Sequence, residues 1–138
     1  MKSLSLITIF FALISSTLFA NSLSVDQQDM RMQEIAKQIR RQYYIWRHED
    51  VSSHITRMSE ASLDHHLFDR DDRRYETSLD ESEVQELKEC LTAENKCSLY
   101  LVWVSGSYMG GYGEVAHFIM LDISTGRYKE VFHTVYAE

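Results

Sequence analysis

The sequence predicts an α+β fold: N-terminal helices packed in two layers on a small C-terminal antiparallel sheet of about three strands. Three observations carry this. Apolar residues between Ser24 and Trp46 recur at three- and four-residue steps, the period of a helix with one buried face. From Ser98 onward the chain turns β-branched and aromatic. Between the two halves stand the chain's 2 cysteines, Cys90 and Cys97.

Residues 1–20 read as a secretory signal peptide. Lys2 supplies the charge, Leu4 to Leu18 the short apolar core, and Ala20 the small residue before a polar Asn21-Ser22. A membrane span needs ~20 apolar residues, and this stretch is interrupted by Ser and Thr, so no anchor is expected after cleavage. Residues 21–138 then form a single α+β domain, periplasmic or secreted. The formal net charge of -7 becomes -8 when Lys2 is lost. Such a surface repels phosphate backbones, which argues against nucleic acid and favours a cationic partner.

Ser24 to about His48 is predicted as the first helix, with Met32, Ile35, Ala36, Ile39, Tyr43 and Trp46 on its apolar face. Asp50 is placed to cap a second helix, in which Val51, Ile55 and Met58 continue the stripe towards Leu67. The run Asp69-Arg70-Asp71-Asp72-Arg73-Arg74 reads as a solvated loop. Asp80 and Glu83 form a capping box, with Leu79 and Val84 as its hydrophobic staple, before a short stripe of Val84, Leu87 and Leu91. In an oxidising compartment Cys90 and Cys97 pair, and the tight loop fixes how helix hands over to strand.

Leu99 to Val104 reads as a strand covered on both faces. Val115 to Ile123 and Tyr128 to Tyr136 are the other two strands. Ser124-Thr125-Gly126 joins them as a hairpin turn, with Gly126 free to take positive φ.

No coherent catalytic set, metal site or cofactor site emerges. Gly111-x-Gly113-x-x-Ala116 is followed by a strand pattern, so no helix N-terminus is there to receive a pyrophosphate. His65 and His66 with Asp64, Asp69, Asp71 and Asp72 have ligand chemistry, but adjacent helical residues point apart. His117 and His133 become cross-strand neighbours only if the last hairpin loop holds three residues; Glu114 and Asp122 are the carboxylates at hand. Glu86, Glu89 and Glu94 near the disulfide, and Glu49, Asp50 and Glu60 in the helical half, read as solvated.

The segment Ser105 to Gly113 holds 4 of the chain's 5 glycines, interleaved with Ser and Tyr. That mixture gives aromatic contact area on an adaptable backbone. Ser107, Tyr108, Met109 and Tyr112 are therefore the candidate binding residues, on what reads as a long hairpin connection. In outline, a small exported α+β chain with a tight disulfide before a strand resembles periplasmic lysozyme inhibitors; no residue role is carried over. The expected function is a binding protein, of inhibitor or immunity type, that masks an envelope enzyme. The alternatives are a small hydrolase using His117 or His133 with a carboxylate, and a metal-binding or assembly module.

Overall fold

The computed structural model describes residues 22–43, 51–68, 79–93, 95–108 and 111–135. The predicted signal peptide, Tyr44 to Asp50, the 69–74 charge run, Glu94, Met109, Gly110 and Tyr136 lie outside them. In chain order the elements are α1 (Val25–Arg41), β1 (Ser52–Arg57), α2 (Glu60–Phe68), α3 (Glu81–Thr92), β2 (Cys97–Tyr108), β3 (Gly111–Asp122) and β4 (Tyr128–Val135). The fold is α+β, and the sheet is an antiparallel meander of four strands in the order β1-β2-β3-β4.

Ser24 caps α1, and Gln27 reaches back to the Ser24 amide, a second capping box that follows the same rule as Asp80. Met32, Ile35 and Ile39 bury one face completely. The helix ends at Arg41, short of the expected His48, and Tyr43 leaves it to turn its hydroxyl towards the sheet. Asp26 in the first turn and Arg40 and Arg41 in the last complement the helix dipole.

The predicted second helix is corrected in its first part, because Ser52–Arg57 is a strand. Val51 and Ile55 are four apart, a spacing that serves one helix face and one strand face equally. The side chains of β1 alternate, with Ser53 and Ile55 half-buried. Helix starts only at Glu60, after Ser59 and Ser62 exchange amide-to-hydroxyl bonds of 2.7 and 3.2 Å.

The two-layer expectation is also corrected. Tyr100, Val102, Val104, Ile119 and Leu121 face α1, whereas Leu99, Leu101, Phe118, Met120 and Val131 face α2 and α3. Two central strands that are apolar on both sides need a cover on each, so the sheet lies between helices. Gln28 in α1, Arg57 in β1 and Ser98 in β2 bond one another at 2.6–3.1 Å and tie that helix to the sheet.

Two local predictions stand. Gly126 has φ +72°, and Asp122 accepts from the Ser124 and Thr125 amides within the turn. Asp80 caps α3, accepting from the Glu83 amide at 2.8 Å while Glu83 accepts from the Asp80 amide at 2.9 Å. These bonds hold the Asp80 carboxyl below the usual carboxylate range. Asp80→Ala is expected to lower the thermal midpoint measurably and Asp80→Asn much less, because asparagine still accepts from the helix amides. Equal midpoints for both variants and the parent chain, by circular dichroism, would remove the cap from the account.

Candidate functional site

Register decides where the candidate residues stand. The last hairpin pairs Leu121 with Tyr128, so His117 lies opposite Phe132, and Ala116 opposite His133. The two histidines therefore occupy opposite faces of the sheet and form no common site. Each is nearly or fully buried, at 3 % and 0 % exposure.

On the α1 face His117 bridges two groups. Its Nδ1 meets Glu130 of β4 and its Nε2 meets Tyr43 beyond the end of α1, both in close hydrogen bonds. A carboxylate only accepts, so the ring proton sits on Nδ1 and the Tyr43 hydroxyl donates to Nε2. That order resembles a nucleophile–base–carboxylate relay, but burial and the charge of Glu130 push the phenol up to about 12. Tyr43 thus stays protonated and serves as a donor. Glu130 is the carboxylate the sequence reading missed; Glu114 and Asp122 instead accept from Tyr112 at 3.2 Å and from Ser124. A one-residue shift between β3 and β4 would turn Glu130 away from His117, whereas Glu114 and Asp122, an odd number of positions from His117 on β3 itself, point to the other face in either register.

On the other face His133 meets His66 of α2, Nε2 to Nε2, at 3.0 Å. The rings of Trp103 and Phe118 stand edge-on to His66, with centroids at 5.3 and 5.4 Å. Burial, and next the neighbouring His66, push His133 down to about 4; burial, and next His65, lower His66. Both rings are neutral at pH 7. His65 points outward, as the helix geometry requires, and Asp64 lies 4.0 Å from Lys88. Among the described residues no three His, Cys, Asp or Glu side chains are grouped to hold a metal. Asp69, Asp71 and Asp72 lie outside the described residues.

The best-formed clefts among the described residues lie elsewhere. One of them, about 430 Å³, is bounded by Arg57, Met58, Glu60, Lys88, Leu91 and Cys97. Of the remaining acidic residues, Glu86 pairs with Lys129 and Glu89 accepts from Gln85 at 3.3 Å; Glu49, Asp50 and Glu94 lie outside the described residues.

The Gly/Ser/Tyr segment is not a long loop. β2 and β3 pair without interruption to Tyr108–Gly111, which leaves positions 109 and 110 as the connection. Among the described residues, β1 is paired as far as Ser105 and β4 as far as Glu114. The last three pairs among the described residues, Gly106–Gly113, Ser107–Tyr112 and Tyr108–Gly111, lie beyond the last described pairs of β1 and β4. At ~3.4 Å per residue these three pairs span about 10 Å. Burial along β3 falls in step: residues 116–121 are buried, 113–115 half-buried, 111 and 112 exposed. Ser107 and Tyr112 are directly opposite and share a face with Ser105 and Glu114. Tyr112 is 46 % exposed. Met109 lies outside the described residues, and Tyr108 ends β2.

No family model, curated protein or solved structure matches this chain.

Proposed function

We propose that this chain is an exported binding protein, of inhibitor or immunity type, whose contact surface is the far end of the β2–β3 pairing. The observation that carries the reading is that end itself. Three cross-strand pairs run past the described parts of β1 and β4, and Tyr112 stands exposed on them with hydroxyls and a carboxylate beside it. Gly111 and Tyr112 near the end of this pairing are exposed, so they add little to the core and are open to a partner. Tyrosine supplies contact area at low entropic cost, and the serines and Glu114 supply polar pairing. The negative net charge would steer association towards a basic partner such as a cell-wall hydrolase. The disulfide, together with the residue 1–20 pattern, supports an oxidising compartment.

The hydrolase alternative draws on Tyr43, His117 and Glu130. Against it, His117 is 3 % exposed and uses both ring nitrogens within the fold, so no ring atom remains to meet a substrate.

The test is capture of a partner from envelope extract by residues 21–138, compared with a Tyr108→Ala/Tyr112→Ala variant. The variant should melt within a degree or two of the parent chain and lose roughly thirtyfold or more in affinity, as contact anchors of ~2 kcal/mol do. A variant that melts several degrees lower and still captures its partner returns the tyrosines to the core and ends this reading.

A further inference from the structure

The His66–His133 contact has a property its surroundings make sharp. Two neutral imidazoles facing each other through Nε2 share one proton, so one ring donates and the other accepts. His133 is fully buried, and its Nδ1 has no hydrogen-bond partner among the described residues. A buried N–H without an acceptor is worse than a buried lone pair of an aromatic ring, so the His133 proton belongs on Nε2. His133 then donates to His66, and the His133 Nδ1 is a bare lone pair in an apolar layer.

Metal binding by the pair runs against the same fact. Ligation through Nε2 would drive the His133 proton onto Nδ1, where it meets no acceptor, whereas ligating histidines donate that proton to a second group.

An added proton has two places to go, and both raise the energy of the closed pair. On His66 Nε2 it sets two N–H groups head to head. On His133 Nδ1 it buries a charge on an N–H that has no hydrogen-bond acceptor among the described residues. We infer that the His66–His133 pair is an acid-sensitive latch, whose protonation frees α2 from the sheet while α1 and the β2–β3 pairing stay folded.

The groups around the pair point the same way. On α2, a charged His65 opposes charge on His66, and Asp64 faces Lys88 of α3. On β3, Phe118 and Ala116 are apolar, and Glu114, two residues further along the same face, accepts from Tyr112. On β2, Trp103 packs on His66, with His54 of β1 in register beyond it. On β4, Lys129 is joined to Glu86 of α3. The opposite face is built on Met32, Ile35 and Ile39 of α1 and contains neither ring.

The sign follows from linkage. His133 is lowered in the closed state to about 4, against 6.5 when exposed. Between these values the open form binds protons that the closed form refuses, so closure is intact above pH 6.5 and weakens as pH falls. At pH 4.5 the ratio of closed to open should be reduced by roughly 50- to 100-fold relative to neutral pH.

Hydrogen exchange of residues 21–138, read by mass spectrometry at pH 7.5 and 4.5 and corrected for the intrinsic rate, tests this. Amides of 60–68 should lose protection at pH 4.5, while those of 25–41 and of the β2–β3 pairing keep it. His133→Phe, which cannot take a proton, should abolish the difference. Unchanged protection of 60–68 at pH 4.5, or loss of protection everywhere at once, overturns the latch. Should His133→Phe not fold, imidazole 1H–15N spectra of the unaltered protein decide. The expected result is an Nε2–H tautomer of His133 that does not titrate above pH 5; a ring that titrates near 6.5 overturns the proposal.

Discussion

Phe118→Ala should lower the free energy of unfolding by about 3–5 kcal/mol, the largest loss expected from a single replacement in this chain. Phe118 is fully buried in the layer between the sheet and the α2 and α3 helices, packed with Leu63, Leu87, Leu101 and Val131. Its strand, β3, is paired on both sides, opposite Leu101 and Val131, so the backbone cannot move in to fill the space. The aromatic contacts to His66 and His133, at 5.4 and 6.0 Å, are lost with the ring. Urea unfolding followed by circular dichroism measures the effect, and Phe118→Leu should retain most of the stability by keeping much of the volume. A loss below ~1 kcal/mol would mean that this layer collapses easily, which is incompatible with a strand covered on both faces.

Removing the disulfide should be the next largest change, about 2–3 kcal/mol for a loop of this length. Cys90 closes the buried side of α3 and Cys97 opens β2, with Cα atoms 5.2 Å apart. The native loop is already held by backbone bonds from Lys96 and Cys97 to the Ala93 carbonyl, at 2.9 and 2.8 Å. The bond therefore acts mostly on the unfolded chain, which it denies a range of separations. The paired Cys90→Ala/Cys97→Ala variant should keep the native circular dichroism spectrum and unfold at lower urea. Equal midpoints would show that the unfolded chain keeps this turn without the bond. Mass spectrometry of protein from its own compartment should find two protons fewer than in the reduced chain; two alkylatable thiols would remove the argument for export.

The candidate site was partly legible. The Gly/Ser/Tyr composition, with 4 glycines in nine residues, pointed to the end of the β2–β3 pairing, where Gly111 and Tyr112 are exposed. Its form is not legible in the composition, since glycine and serine signal turns more often than strand. Here the strand character comes from cross-strand bonds with Gly111 to Gly113 and not from propensity. Tyr43 was assigned to the helix face by spacing, and its bond to His117, 74 positions away in the chain, has no local signal at all.

What the sequence by itself determined are the features satisfied within a few residues: the α1 stripe, the Asp80 cap, the Gly126 turn, the Cys90–Cys97 closure and the α+β class. Each is a bond or a contact whose two ends are close in the chain, so residue type and spacing suffice. What only the tertiary structure decided is pairing. Register placed His117 with Glu130 on one face and His133 with His66 on the other. It also turned a four-residue spacing at Val51 and Ile55 into a strand, and set helices on both sides of the sheet. A shift of one residue in a strand exchanges its faces at almost no local cost, and only the summed burial of the two opposed layers selects one register.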